Sequence, residues 1–316
     1  MTPPPKRART GDTSSETIAM EVEDLSKLKQ HEKLWFEDGN IVLATDVHLY
    51  CVHRGILALN STVFKDMLEL PNVGNTSKSA EDGITTGDSW EGKPLVRMVG
   101  DRDGDVYHIL MAIYDVSFYC AHEPATLPVI LSLIRMSTKY NFTFIQDKVT
   151  SHLKLVYPTD LESLEGRSYG RLFVDYNEEH DFQLLVVAEQ CNMKAILPML
   201  YLDCAASPMD DILKGSEAAD PHNFRKFCVV TNGFQSTRIS TGPMELFANY
   251  MKTPTEFLVH ELLFGVEPDC DKTLRASICK DCKKASSEAF EKLRLEVWNA
   301  IPSLFELGTW EDYTRE

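Results

Sequence analysis

The sequence predicts a mixed α/β fold in which a small sheet accompanies a helical cluster, followed by a mainly helical C-terminal region. Three features lead there. Two apolar stretches in LWFEDGNIVLATDVHLYCVHRGIL surround Asp38-Gly39-Asn40 and Thr45-Asp46, both turn sequences because Gly tolerates positive φ and Asp or Asn can bond its own backbone. From Gly55 the apolar residues change to helical spacing. Helical runs then recur through the second half of the chain.

Order is expected from near Leu34. Residues 1–33 have little apolar content, and their opening MTPPPKRARTGDTSSET cannot offset the entropy of ordering a backbone, so this segment is expected to be flexible. After the hairpin, 55–70 reads as a helix broken at Asn60-Ser61, where Ser61 caps a second short helix. Val63, Phe64, Met67 and Leu68 have the spacing of core residues on that helix. The stretch 71–94 is rich in Gly, Ser and Thr and too long for an ordinary connection, which marks it as a loop insertion. Residues 95–99 read as a strand and DRDGD as a turn. A helix is expected over 106–119, with Ile109, Leu110, Ile113 and Tyr114 facing inward.

Pro128 is tolerated in a first turn and opens a helix to Tyr140 that carries Ile130, Leu131, Ile134 and Thr138 at helical spacing. Another helix spans 144–157. In the second half the runs 182–191, 196–206 and 241–251 are helical in pattern. Thr253, Pro254 and Glu256 form a capping box before FLVHELLFG, and Gly265 ends that helix. The last substantial helix runs over about 287–298, with Phe290, Leu293, Val297 and Ala300 near one face and Pro302 ending the pattern. Met193, Met199 and Met209 lie beside apolar segments, where thioethers fill cores or adapt at interfaces.

The chain has 316 residues, and 32 Lys and Arg against 48 Asp and Glu give a formal charge of 32 − 48 = −16. Such a balance repels phosphate backbones and disfavours direct nucleic-acid binding. The basic exception is PPPKRAR, where Lys6, Arg7 and Arg9 have the look of a short nuclear-import signal or of a solubilising tail. Apolar runs such as 184–188 and 195–200 fall far short of the roughly 20 residues needed to span a membrane. The eight cysteines, in a chain that opens without an apolar signal segment, predict reduced thiols and an intracellular location in nucleus or cytoplasm. The sequons at Asn60, Asn75 and Asn141 then read as chance matches.

The run Trp35, Phe36, Asp38, Gly39, Asn40, Tyr50, Val52, His53, Arg54, Leu57, Ser61, Val63, Phe64, Met67 and Leu68, followed by the PLVRMVG strand and the YHILMAIY helix, resembles a BTB/POZ domain of the type found in large families of fungal BTB proteins. The resemblance covers residues 34–158, with the insertion at 71–94 departing from the compact family pattern, and leaves 159–316 as a mainly helical region. It implies an α/β domain used for self-association and partner recruitment, with a helical continuation through Ala195–Tyr201. The expected partners are proteins, among them a second copy of the chain or a cullin. The implied function is therefore an interaction scaffold, with a cullin-type ubiquitin-ligase substrate adaptor and a nuclear transcription-related scaffold as alternatives.

Leu34, Trp35 and Phe36 are the candidate interface residues, because an aromatic-bearing first strand beside a flexible N-terminus can form a dimer contact. The same side chains can instead close the monomer's own core. Asp38 and Gly39 are read as shaping a turn, His53 as orienting backbone and Arg54 as pairing with a carboxylate, all structural roles. Cys270, Cys279 and Cys282 are provisional zinc ligands, with His260 or Cys228 able to complete a site only through the fold, and ordinary thiols explain the same letters. No G-x-S-x-G elbow, P-loop or G-x-G-x-x-G fingerprint is present. Cys51 and His53 share a face of an extended chain, yet a nucleophile also needs a placed electrophile. The acidic pairs Glu81-Asp82 and Glu178-Glu179 read as solvated surface. No cofactor and no enzymatic activity are expected.

Overall fold

The structure, a computed structural model, describes residues 25–69, 89–177, 179–206, 263 and 280–314. The chain divides into two compact units, Met1–Met111 and Ala112–Glu316, a division that falls inside the 34–158 segment of the resemblance. In the first unit, β1 (Lys29–Trp35), β2 (Ile41–Ala44), β3 (His48–Val52), β4 (Ser89–Trp90) and β5 (Lys93–Arg97) form one sheet in the order β1-β3-β2-β5-β4. The β2–β3 and β4–β5 pairs are antiparallel, whereas β1 runs parallel to β3 and β5 parallel to β2. The first strand thus begins at Lys29, ahead of the Leu34 start expected from the sequence. Its leading residues are polar and lie at the sheet edge, where apolar patterning is weak.

All four residues of β2 are buried, so both of its faces are covered. Alternation along the strands gives one face to Val42, Ala44, Leu49, Cys51 and Leu95, which form a cluster flanked by Leu25, Leu28, Trp35 and Trp90. Ile41, Leu43, Tyr50 and Val52 alternate onto the other face and are buried there. Two short helices follow, α1 (Arg54–Asn60) and α2 (Thr62–Glu69), with the break where the sequence places it. Ser61 makes that break. Its backbone N–H donates to the Leu57 carbonyl at 2.9 Å, closing α1, and its hydroxyl accepts from the Phe64 N–H at 3.0 Å, capping α2.

Several expectations need correction in detail. Phe64 and Leu68 are buried as expected, but Val63 is 38% exposed and Met67 only partly covered, because so short a helix buries a narrow stripe. The end of the 71–94 insertion is a hairpin: Glu91 and Gly92 adopt φ of 49° and 79°, as a two-residue primed turn between β4 and β5 requires. DRDGD does not stay a turn, since α3 (Asp103–Tyr114) starts at its third residue. Asp103 and Asp105 sit favourably in that helix's first turn. The helix ends at Tyr114, short of Tyr119, because Asp115 Oδ1 accepts from the Ser117 N–H and hydroxyl and turns the chain.

The second unit is helical among its described residues, apart from a bridge between Ala125 and Phe173. It contains α4 (Leu127–Tyr140), α5 (Thr143–Lys154), α6 (Leu161–Leu164), α7 (Glu179–Gln190), α8 (Leu197–Ala206), α9 (Lys280–Leu304) and α10 (Glu311–Thr314). Pro128 lies in the first turn of α4 and Asn141 ends it in the left-handed region at φ 53°. The α4 helix packs against α5 and α7, and α7 against α8. Met193 and Met199 are buried.

A further correction concerns α9, which continues past Pro302 to Leu304. Proline removes the N–H that would bond the carbonyl four residues back, at Trp298. That carbonyl accepts instead from the Trp310 indole N–H at 2.7 Å, while the two indole rings stack at 4.5 Å. Residues 71–88 of the expected 71–94 insertion, the N-terminal segment with Lys6, Arg7 and Arg9, the run 241–251 and the Thr253–Gly265 capping pattern lie outside the described residues, Leu263 excepted.

Replacing Ser61 by Ala removes the cap of α2 and strands a buried N–H. A loss of about 1–2 kcal/mol is expected in a urea titration of the chain.

Candidate functional site

The residues singled out by sequence gather where β1 and the β2–β3 hairpin meet α1. The Phe36 N–H donates to the Cys51 carbonyl at 2.9 Å, and the Phe36 carbonyl accepts from the Gly39 N–H at 3.0 Å, closing a turn through Glu37 and Asp38. Gly39 is needed there for close approach. A Cβ on it would lie 2.6 Å from Cys51 Sγ and 2.9 Å from the Phe36 carbonyl oxygen. Leu34 is 1% exposed, so it is buried within its own unit. Trp35 is half-buried against the Val42–Leu95 cluster, and Phe36 is half-buried with its ring 5.2 Å from that of His53.

His53 Nε2 lies 3.2 Å from the exposed carboxylate of Asp38, and the His53 carbonyl accepts from the N–H groups of Ile56 and Leu57 at the start of α1. Arg54 joins elements in a way the sequence did not foretell. Its guanidinium donates to the Leu68 carbonyl at 2.8 Å rather than to a carboxylate, and its backbone N–H donates to Asn40 Oδ1 at 2.8 Å. It therefore links α1 to the end of α2 and to the hairpin. Cys51 is fully buried and accepts from Lys93 Nζ at 3.2 Å. In α1, Leu59 is 85% exposed, an apolar side chain with no part in the core.

A polar cluster that sequence reading passed over lies at the other end of β3. Asp103 accepts from the Thr45 hydroxyl at 2.6 Å, from His48 Nδ1 at 2.9 Å and from the Tyr50 hydroxyl at 2.9 Å. Burial alone raises its carboxyl, but these hydrogen bonds outweigh that and hold it below the usual carboxylate range. The ring of His31, on β1, stacks on Tyr50 at 5.0 Å, meets His48 edge-on at 5.1 Å and lies 5.0 Å from Tyr107. The DRDGD letters gave the only sequence signal for this cluster, and they resemble an ordinary turn.

The second unit holds its own buried polar network. Arg167 donates from both terminal nitrogens to Asp203, at 2.8 and 2.9 Å. Asp181 accepts from the hydroxyls of Tyr157 at 2.6 Å and Tyr176 at 2.7 Å. Burial, and then the neighbouring Asp203 charge, push the Asp181 carboxyl well above the usual carboxylate range. His152, fully buried, donates from Nε2 to the Arg171 carbonyl at 3.0 Å, so its Nδ1 accepts from the Tyr119 hydroxyl at 2.8 Å. Burial lowers its tendency to take a proton. These groups tie α5, α7 and α8 to the segment between α6 and α7.

Among the described residues, no group of three or more His, Cys, Asp or Glu is placed to hold a metal ion. The provisional zinc ligands Cys270 and Cys279, and the further candidates Cys228 and His260, lie outside the described residues, as do Glu81-Asp82, Glu178 and Met209. Cys282 falls in α9, but its side chain is not among those described. No described helix is long and apolar enough to cross a membrane. Comparison with models of protein families, with curated proteins and with solved structures found no match.

Two outcomes follow from this geometry. Gly39→Ala drives a methyl into a backbone carbonyl and should cost about 1–3 kcal/mol in urea unfolding. For Asp181 the folded state binds the proton more tightly than the unfolded one, so its contribution is full below about pH 4 and is lost as pH rises through the raised folded value. The melting temperature of wild type relative to Asp181→Asn should therefore fall as pH rises above about 4, and a difference that grows instead contradicts the assignment.

Proposed function

We propose that the chain is a protein-interaction scaffold whose N-terminal region is a BTB/POZ-type domain, acting by self-association or partner recruitment through binding equilibria. The observation that carries this is the order of elements in the resembling run. A hairpin, β2–β3, leads into two short helices broken at Ser61; β5 then joins the sheet beside β2, and α3 follows. A small sheet with short helices is what the resemblance implies, and the residues quoted for it fall at the structural junctions of that order: Gly39 in the turn, Arg54 between the helices and the hairpin, Ser61 at the break.

Leu59 supplies an apolar contact for such a domain. At 85% exposure it takes no part in folding the unit, and apolar anchors contribute more to an interface than peripheral charges do. A stable interface buries about 1,200–2,000 Å² in total, so Leu59 would be one anchor within a larger face.

Multi-angle light scattering on the full chain over a concentration series tests this. The mass should rise from monomer to dimer, and Leu59→Lys should move the midpoint at least about tenfold higher, corresponding to about 1.4 kcal/mol. A chain that stays monomeric at the highest concentration defeats self-association.

A further inference from the structure

The first half of β1 is attached to the sheet differently from the second. Lys29 and Gln30 pair with His48 and Leu49, and the next paired residue is Trp35, opposite Cys51. Five steps along β1 thus correspond to two along β3, so the ladder is interrupted between Gln30 and Trp35. Beyond the interruption the strand is secured by buried Leu34, by Trp35 against the apolar cluster and by the Phe36 N–H on the Cys51 carbonyl. Before it, the strand is held by two paired residues, by Leu25 and Leu28 at the margin of the apolar cluster, and by one side chain among rings, His31.

That side chain sits among rings. Tyr50 and His48 face it from β3 and Tyr107 from α3, while Asp103 of α3 and Glu32 and Lys33 of its own strand are the remaining charged groups that act on it. Its Nδ1 accepts from the Lys33 N–H at 3.3 Å, a bond open only to an unprotonated nitrogen. The nearby carboxylate of Asp103 already accepts from Thr45, His48 and Tyr50 and offers His31 no direct hydrogen bond. A proton on His31 is therefore disfavoured by burial first and by His48 second, which together outweigh the attraction of Asp103 and Glu32.

We propose that His31 is a proton-operated latch on β1: neutral, its ring holds Lys29–Gln30 on the sheet; protonated, it leaves the rings and the first half of the strand detaches. Trp35 and Phe36 stay in place, and the interruption between Gln30 and Trp35 acts as the hinge. Detachment opens the His48–Leu49 end of β3, whose ladder groups become free to pair with another strand. The sign follows from linkage. A histidine whose folded form resists protonation adds its full contribution above about pH 6.5 and loses it as pH falls below that.

Hydrogen–deuterium exchange of the full chain at pH 7.5 and 5.5, corrected for intrinsic exchange rates, tests the latch. The segment 25–33 should exchange up to about tenfold faster at pH 5.5, the limit for one unit below the ordinary histidine value. The segments of β2 and β3 away from His48 should keep their protection. In His31→Phe, which keeps a ring but cannot take a proton, the pH response of 25–33 should vanish. Three results overturn the proposal: no pH response of 25–33 in the wild type, an equal response throughout the first unit, or a response that persists in His31→Phe. The first two are read on the wild type and stand even where the variant fails to fold.

Discussion

The Asp103 carboxylate accepts three hydrogen bonds, from Thr45, His48 and Tyr50, and through them ties the first turn of α3 to the β2–β3 corner. Thr45 is itself fixed by that corner: its N–H donates to the His48 carbonyl at 3.0 Å and its hydroxyl accepts from the His48 N–H at 2.9 Å. A single charge therefore sets where the hairpin turns, where α3 begins and which ring nitrogen of His48 carries a proton. Charge-assisted hydrogen bonds are about twice as strong as neutral ones, and a partly buried carboxylate leaves little freedom for its donors to move. The ring group around His31 rests on this base, because Tyr50 and His48 are two of its walls.

Polar groups do comparable work in the second unit. Buried ion pairs add little net stability, since desolvation of both ions offsets their attraction, but removal of one partner leaves a charge stranded. Arg167 and Asp203 form such a pair with two parallel hydrogen bonds. Asp181 differs: two tyrosines donate to it and the Asp203 charge repels it, and the Arg167 cation paired with Asp203 only partly offsets its burial. The two carboxylates fix the angular relation of α7 and α8 to the 165–177 segment through directional bonds, which the apolar residues of the same helices cannot supply.

Legibility in the sequence followed the range of the interactions. The break at Ser61, the first turn at Pro128 and the alternation of β2 and β3 depend on residues within a few positions of one another, and each is where the letters place it. Asp103 reaches across 53 to 58 positions to Thr45, His48 and Tyr50, and no local pattern distinguishes it from the turn-forming Asp of DRDGD. Pro302 misled for the same reason. Its helix-ending tendency is local, whereas the indole N–H of Trp310 that satisfies the Trp298 carbonyl comes from beyond the helix. Arg54 was legible as a structural residue but not in its partner, since a backbone carbonyl at Leu68 leaves no trace in residue identity.

The aromatic opening of the domain shows how burial bears on the proposed self-association. A side chain contributes to an interface through area it still exposes as a monomer. Leu34 has almost none, and Trp35 and Phe36 have spent most of theirs on the apolar cluster and on His53. Truncating any of the three would therefore weaken the unit before it reported on association, whereas Leu59 can be charged without entering the core. In the proposed scaffold the opening strand then acts through its backbone edge and its hold on the sheet, and the exposed face of α1 through side-chain contact. These are separable surfaces of one unit: a proton on His31 changes the first and leaves Leu59, on a different element, untouched.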